Sequence, residues 1–263
     1  TRDGDEFVIE GQKVWTSGGQ AADLGMLIAR TDSDLPKHQG ISYFALDMHQ
    51  PGVDVRPLRQ MTGDAEFNEV YLSDVRIPDS MRLGGEGEGW RVAMTTLMNE
   101  RVAIGGGRSK RGSGAISIAV NVWQQTGHDD PARRDELMKL WVAAEVNRLT
   151  NLRAGDMRKA GTPGPEGSVG KLVFAELNQA ISELCVDLLG ADGQLYADYD
   201  KPRREEVGFY TGSPQYFFLR SRANSIEGGT SEVLRNILGE RVLGLPGEPR
   251  TDKDLPWRDV PRS

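Results

Sequence analysis

The spacing of apolar residues changes near residue 83. Before that point, short runs of alternating apolar and polar residues are separated by Asp-Gly, Glu-Gly and Pro-Gly pairs, which is typical of β-strands joined by tight turns. The clearest runs cover residues 7–9, 13–16, 25–29, 42–46 and 69–72. The pattern therefore predicts a compact sheet domain over residues 1–83.

The remainder of the chain has helical spacing. A glycine-rich connector, residues 84–89, leads into apolar positions that recur every three or four residues. This spacing predicts a helical bundle over residues 84–246, although the glycines at 105–107 argue against an unbroken first helix. The segment 247–263 is rich in proline and charge, and we expect it to lie as an arm over a surface.

Local sequence signals also place several helix ends. Asp130 followed by Pro131 is typical of an N-cap with proline in the first helical position. Ser168 is the predicted N-cap of the following helix, which Gly190 would terminate. The pair Leu245-Pro246 is predicted to end the last amphipathic helix.

Composition and charge argue against several classes of function. The 263 residues carry a formal net charge of −7, so no basic surface indicates nucleic-acid binding. The three histidines are widely separated and lack metal-ligand spacing, so we expect no metal site. No apolar run is long enough to predict a membrane span.

Cysteine usage and the chain start bear on location and completeness. Cys185 is the only cysteine, which excludes an internal disulfide and fits a reducing, cytoplasmic setting. The N-terminus lacks a signal-peptide pattern. Because the chain starts at Thr1 and leads directly into a strand, we expect it to be a fragment of a longer protein.

A segment near the C-terminus combines features that could serve a ligand. In residues 225–232, Gly228 and Gly229 allow the backbone to pass close to a bound molecule. Thr230 can cap a helix whose free N–H groups attract electron-rich oxygen. Taken alone, such a segment is more often only a tight turn followed by a helix cap.

Four segments, in this order, resemble landmarks of the acyl-CoA dehydrogenases. Residues 11–19 are similar to the family's strand beside the flavin ring, 87–94 to the start of its first C-terminal helix, 188–193 to its Leu-Gly-Gly-Asn-Gly element and 226–236 to its C-terminal signature. The resemblance implies an α+β fold, with a barrel-like β-sheet middle domain followed by a C-terminal four-helix-bundle domain. It also implies that the family's N-terminal helical domain is absent from this chain.

The reaction implied by the resemblance is α,β-dehydrogenation of an acyl-CoA thioester, in which a carboxylate removes the α-proton and the β-hydrogen leaves as hydride to N5 of FAD. In one branch of the family the base lies two positions before the signature threonine, where this chain has Gly228. Glu227 is one position out of register. Another branch takes its base from a Glu-Arg pair that matches Glu100-Arg101, so we expect Glu100 to be the catalytic base.

The expected surroundings of Glu100 agree with this role. On a helix it shares a face with mostly apolar residues: Ala93, Thr96, Leu97, Ala103 and Ile104. Such surroundings disfavour a charged carboxylate and favour proton abstraction in a dry pocket. The alternative is an interior glutamate paired with a neighbouring arginine. Arg101 and Gly228 are the expected substrate contacts. Gly228 leaves room for a branched or bulky acyl group, and its N–H can donate to the thioester carbonyl oxygen.

The resemblance also implies which residues contact FAD. Trp15 is similar to the family's tryptophan packed on the isoalloxazine ring, and Ser17 to the hydroxyl residue near flavin N5. Thr230 and Glu232, in the C-terminal signature, are the other expected cofactor contacts. The alternative for Trp15 is a core residue of the sheet.

Two departures from the family pattern concern how FAD is held between subunits. Homotetrameric relatives grip the FAD pyrophosphate of a neighbour with an Arg-x-x-Phe-Gly element, but residues 123–131 contain neither the arginine nor the phenylalanine. Asp187 stands where the family commonly has glutamine, and a carboxylate repels phosphate. These features resemble subunits of actinobacterial α2β2 heterotetramers that act on bulky substrates, including CoA thioesters of steroid side chains.

Three hypotheses about function remain open at this point. The chain is a catalytic subunit of a homo- or heterotetramer that passes electrons to an electron-transfer flavoprotein. Alternatively, it is a non-catalytic partner that supports another dehydrogenase subunit, or an oxidase that passes electrons to oxygen. The sequence does not name the acyl group.

Overall fold

Two compact units make up the chain in a computed structural model. The residues described are 1–105, 109–161, 166–197, 199 and 212–261. The side chains of residues 98–105 and 166–167 lie outside this description. Among the described residues all strands precede the first α-helix, which confirms the predicted α+β fold class.

The first unit, residues 1–60, 64–99 and 248–263, contains two antiparallel sheets. The strands are β1 (Arg2–Asp3), β2 (Glu6–Ser17), β3 (Leu24–Arg30), β4 (Ile41–Asp47), β5 (Val53–Leu58), β6 (Phe67–Pro78) and β7 (Arg82–Leu83). One sheet has the order β1-β2-β6-β5 and the other the order β3-β4-β7. Every neighbouring pair in these sheets is antiparallel.

One hydrophobic core is shared by the two sheets. Its buried members are Phe7, Ile9, Leu27, Phe44, Leu46, Met48, Val70, Leu72, Val75 and Ile77. The rings of Phe7 on β2 and Phe44 on β4 have centroids 5.0 Å apart and link the sheets. On β6 the buried positions step from Leu72 to Val75, because an irregularity containing Asp74, with φ 51°, inserts one residue into the alternation.

The predicted strand runs all lie within observed strands. The runs 7–9 and 13–16 belong to one strand, β2, because Gly11 adopts φ 138° and lets the strand continue through a register shift. Strand β5 was not among the predicted runs. It lies at the edge of its sheet and contains Pro57, which an edge strand tolerates but which weakens the sequence signal for a strand.

The helices are α1 (Gly89–Gly105), α2 (Ala115–Thr126), α3 (Pro131–Lys159), α4 (Glu166–Leu188), α5 (Pro214–Ser221) and α6 (Ser231–Ile237). The second unit, residues 61–63 and 100–247, is built around α4, which packs against α2, α3, α5 and α6. Its buried core residues are Ala115, Ile116, Ala119, Val122, Leu137, Ile181, Leu184, Cys185, Leu188 and Phe217.

The predicted start of α3 and the predicted break after α1 are both present. The side chain of Asp130 accepts a hydrogen bond from the N–H of Ala132 at 2.8 Å, and Pro131 occupies the first helical position. Helix α1 ends at Gly105 and α2 begins at Ala115, so the first helix does not run on unbroken.

Two other predicted helix ends differ from the structure. Helix α4 begins at Glu166, so Ser168 lies inside its first turn and the predicted N-cap was wrong. Helix α6 is followed by a π-helical turn over Leu238–Val242, so the last apolar stretch is not one regular α-helix up to Pro246.

The C-terminal tail lies on the loop between β3 and β4. Pro256 forms an isolated antiparallel bridge with Pro36. The guanidinium of Arg30 lies over the ring of Trp257, 4.2 Å from its centroid. A cation held over an indole ring is a favourable contact. The bridge and this contact hold the tail against the first unit, to which residues 248–263 belong.

Candidate functional site

The β-sheet unit exposes a tryptophan on an irregular part of β2. Trp15 is 64% exposed and adopts φ 62°, an unusual conformation for a bulky residue. A register shift between Lys13 and Thr16 places Val14 and Trp15 opposite a single residue of β6. The indole contacts Phe67 edge-on, with ring centroids 5.9 Å apart. The bulge therefore leaves the indole exposed instead of burying it.

A buried asparagine holds the backbone next to this tryptophan. The Nδ2 group of Asn68, which is fully buried, donates hydrogen bonds to the carbonyl oxygens of Thr16 at 3.0 Å and Glu66 at 3.4 Å, and to the side chain of Gln20. Ser17, beside Thr16, is exposed. The sequence interpretation missed Asn68. A polar residue in line with the apolar positions Val70 and Leu72, which alternate along β6, is the signal that could have identified it.

In the helical unit, two glycines form the turn before α6. Gly228 has φ 63° and Gly229 has φ 103°, which are backbone conformations that residues other than glycine rarely adopt. Thr230 is the N-cap, as predicted, and its hydroxyl accepts from the N–H of Val233 at 3.2 Å. Hydrogen bonds from its own backbone N–H and from Thr230 lower the pKa of the exposed Glu232 carboxyl group. Among the described residues, none accepts a hydrogen bond from the N–H of Gly228.

The carboxylate beside the glycine turn is held in an ion pair. Oε2 of Glu227 lies 3.0 Å from Nη2 of Arg220, whose side chain is 9% exposed. Oε1 of Glu227 accepts from the Nδ2 group of the buried Asn224 at 2.6 Å, and Asn178 in turn donates to Asn224 at 3.1 Å. A carboxylate with both oxygens engaged in this way is poorly placed to accept a substrate proton.

A lysine that the sequence interpretation missed contacts the same turn. Nζ of Lys171, on α4, donates to the carbonyl oxygens of Asn224 at 2.8 Å and Gly229 at 2.6 Å. Burial lowers the pKa of this amino group. Lys171 and Gly229 are 58 positions apart in sequence, so no local pattern could have paired them.

Comparison with known proteins decides the family. The profile of the acyl-CoA dehydrogenase middle domain matches residues 1–75, and that of the acyl-CoA dehydrogenase C-terminal domain matches residues 87–243. The chain belongs to the acyl-CoA dehydrogenase family. The resemblance inferred from the four sequence landmarks is thereby confirmed.

Two curated acyl-CoA dehydrogenases from Mycobacterium tuberculosis are similar to the chain. FadE34 is 38% identical over 241 residues, which cover 91% of this chain and 31% of that protein. IpdE1 is 37% identical over 251 residues, which cover 94% of this chain and 62% of that protein. The chain therefore spans about a third to three-fifths of the length of these relatives.

Solved acyl-CoA dehydrogenase structures share the fold. The steroid ACAD Tcur3481-Tcur3483 superposes with a TM-score of 0.79 at 27% identity, covering 94% of this chain and 63% of that one. The ChsE4-ChsE5 complex from Mycobacterium tuberculosis superposes with a TM-score of 0.75 at 28% identity, covering 94% and 64%. ChsE4-ChsE5 is a complex of two different polypeptides.

The predicted base lies on α1. The backbone of Glu100 and Arg101 is helical, while their side chains lie outside the described residues. On the helical face that Glu100 shares, Ala93 is buried and Thr96 is half-buried, whereas Leu97 is 40% exposed. The described part of that face is therefore only partly buried.

The region that departs from the acyl-CoA dehydrogenase pattern is held by contacts within the chain. The carboxylate of Asp187, near the end of α4, lies 3.3 Å from the guanidinium of Arg133 on α3. The Nε2 group of His128 makes a 2.6 Å hydrogen bond to the carbonyl oxygen of Leu188. Arg133 offsets the charge of Asp187, and the loop between α2 and α3 is tied to the end of α4.

The described ranges contain neither a bilayer-spanning helix nor a group of metal ligands. None of the helices there has the length and apolar character needed to cross a bilayer. In the same ranges, no three His, Cys, Asp or Glu side chains converge as metal ligands would.

Proposed function

We propose that the chain contributes the flavin and substrate sites of an enzyme that catalyses FAD-dependent α,β-dehydrogenation of an acyl-CoA thioester. The observation that carries the proposal is the turn formed by Gly228 and Gly229, which lies within the part of the chain that matches the family's C-terminal domain. Gly228 has a left-handed backbone with an N–H that no described residue engages, and it lies beside Glu227, which Arg220 already binds. The turn can receive a carbonyl oxygen, and the base must come from elsewhere.

The residues of the β-sheet unit fit FAD. Trp15 presents an exposed indole on a bulge, and Ser17, two positions later, exposes a hydroxyl group. A planar ring system needs an aromatic surface and a few polar groups that fix its orientation. Thr230 and Glu232 are the proposed contacts in the helical unit, where both also serve the cap of α6. Bound FAD supplies the hydride acceptor.

We assign proton abstraction to Glu100. Its carboxylate would take the α-proton, and Arg101 would contact the substrate. The N–H of Gly228 would donate to the thioester carbonyl oxygen, where negative charge develops as the α-proton leaves. Glu227 is a poorer candidate for the base, since its oxygens accept from Arg220 and Asn224.

The space at Gly228 supports a branched or bulky acyl group. Of the described residues, only Lys171 would come within 4 Å of a Cβ atom placed there, with its Cε at 3.7 Å, so no bulky side chain among them closes this side of the turn. The solved relatives include an assembly described as a steroid ACAD. A CoA thioester with a steroid side chain is therefore the substrate class that we propose.

Assembly with further subunits is part of the proposal. Helix α3 carries an exposed apolar stripe at helical spacing, formed by Met138, Val142, Val146 and Leu149. A contiguous apolar stripe is typical of a protein–protein contact. A homo- or heterotetramer would cover it, and an electron-transfer flavoprotein in the cytoplasm would reoxidise the flavin.

A second candidate function is a non-catalytic partner subunit of a heteromeric acyl-CoA dehydrogenase. The observation that favours it is the region around Asp187, where a carboxylate paired with Arg133 stands in place of glutamine. The segment 123–131 also lacks the residues with which relatives grip a neighbour's FAD. In that case the catalytic glutamate would belong to the partner.

The two candidate functions are separated by substituting the two glutamates in the complete protein, purified with its partner subunit. We expect Glu100→Gln to lower turnover of acyl-CoA by about 10²–10⁴-fold with flavin still bound. Glu227→Gln is the matched control and should lose far less turnover, because its amide oxygen can still accept a hydrogen bond beside the turn. Loss in the control alone would move the base to Glu227. Full turnover in both variants would support the non-catalytic subunit.

A further inference from the structure

Lys171 connects the two ends of the segment that contains the glycine turn. Its Nζ donates to the carbonyl oxygen of Asn224 at 2.8 Å and to that of Gly229 at 2.6 Å. The two carbonyls belong to residues five positions apart, so one ammonium group closes residues 224–229 into a loop. Helix α4, which supplies the lysine, is the central helix of its unit.

Lys171 is half-buried, and partial removal of its ammonium group from water has a cost. Removing an ammonium group from water is unfavourable unless it is paired and hydrogen-bonded. Burial lowers the pKa of Lys171, and the charge of Glu227 opposes that shift. An apolar residue of similar length would fill the position on α4 without this cost, so the hydrogen bonds to the turn are what the lysine adds.

The turn itself needs an external support. Gly228 and Gly229 both have positive φ, and glycine loses more conformational freedom on ordering than any other residue. On one side, the ion pair of Glu227 with Arg220 fixes the residue before Gly228. On the other side, Lys171 fixes the carbonyl of Gly229. The peptide N–H of Gly228 lies between these two supports.

We propose that Lys171 is a positioning residue for the dehydrogenation, holding the Gly228 N–H toward the thioester carbonyl oxygen. Its Cε lies 3.7 Å from the position of a Cβ at Gly228, so its positive charge also lies close to where the oxygen becomes negative. A preorganised donor and a nearby fixed charge both stabilise such a transition state. This inference rests on the proposed function of the Gly228 turn.

The test uses the complete flavin-loaded protein with its partner subunit, and the substitution Lys171→Met, which keeps the length and removes the donors. Lys139→Met on the surface of α3 is the matched control. Hydrogen exchange of the peptide covering 224–230 measures the support directly. We expect exchange to become about tenfold faster and kcat to fall by about 10–100-fold. KM, Tm and bound flavin should stay near those of the control.

Each other result overturns a defined part of the inference. Unchanged exchange would show that Lys171 does not hold the turn. Faster exchange with unchanged kcat would remove the positioning role, and a loss of Tm or flavin in step with kcat would reduce the lysine to a structural residue. If Lys171→Met does not fold, Lys171→Gln keeps a donor but loses the charge and should give an intermediate kcat; wild-type kcat in that variant would oppose the proposal.

Failure of the proposed function would look different. If the unsubstituted protein turns over no acyl-CoA thioester, the dehydrogenation and the positioning role fall together. The exchange measurement would still show whether Lys171 holds residues 224–230, because it needs neither substrate nor turnover.

Discussion

The guanidinium of Arg220 and the carboxylate of Glu227 form an ion pair at 3.0 Å next to the Gly228 turn, and the arginine side chain is only 9% exposed. Asn224 completes the arrangement by donating to the other oxygen of Glu227. A charge that is buried this far depends on its partner. The acidic residue closest in sequence to the alternative base position is thus part of the framework of the turn.

Removing the carboxylate should destabilise the protein without removing its chemistry. In Glu227→Ala, the Arg220 charge loses its carboxylate partner, and we expect the free energy of unfolding to fall by about 1–3 kcal/mol. Thermal unfolding of Glu227→Ala, Arg220→Met and the double variant measures the coupling. Additive losses in this cycle would show that the ion pair contributes nothing to stability.

At position 15, we expect glycine to suit the backbone conformation better than alanine does, whereas FAD binding should require the indole. Its φ of 62° is strained for any residue except glycine, so Trp15→Gly should be more stable than Trp15→Ala by about 1 kcal/mol. Both variants lack the indole and should bind FAD less tightly by about 1–3 kcal/mol, if stacking has its usual strength. Flavin titration of the apoprotein measures the affinity. Val14→Ala, at the other exposed bulge position, is the control, and an equal loss there would argue against stacking on Trp15.

Asn68 should be needed for its donor group and not for its shape. Asn68→Asp is nearly isosteric, but it cannot donate to the carbonyl oxygens of Thr16 and Glu66. We expect it to be at least as destabilising as Asn68→Ala, with a loss of about 1–3 kcal/mol. Thermal unfolding tests this order. A stable Asp variant would mean that these hydrogen bonds do not hold the Trp15 bulge.

The exposed stripe on α3 should be required for assembly. Val142 lies in the middle of the stripe and is 55% exposed in the single chain, so Val142→Glu would place a charge in the contact. We expect native mass spectrometry to show smaller species than for the unsubstituted protein. Asn121→Glu, which adds the same charge to an exposed position of α2, should leave the assembly intact. An unchanged assembly in Val142→Glu would place the subunit contact elsewhere.

Cys185 should make the protein less stable at alkaline pH. Burial raises the pKa of its thiol from 9.0 to about 12. Above pH 9 the unfolded chain loses the thiol proton while the folded chain keeps it, so stability falls as the pH rises toward about 12, by at most about 1.4 kcal/mol per pH unit. Tm measured from pH 8 upward should decline less steeply in Cys185→Ala. Equal slopes would contradict the shifted pKa.

The order of the elements and the local turns follow from the sequence alone. Alternation with period two and spacing with period 3.6 are properties of neighbouring residues, so they are visible without a fold. The same holds for Asp130 and Thr230, whose side chains cap helices through hydrogen bonds to residues two and three positions later. Ser168 was misplaced because residues upstream of a suitable cap can also be helical, and helix ends are the least strongly encoded boundaries.

The groups that support the Gly228 turn and the exposure of Trp15 depend on contacts between elements that are distant in sequence. Lys171 reaches Gly229 across 58 positions, and Asn68 reaches Thr16 across 52, because packing brings their elements together. The display of Trp15 depends on a register shift between β2 and β6, which neither strand encodes alone. Contacts of this kind form only when elements pack together. The local sequence pattern does not show which elements will pack.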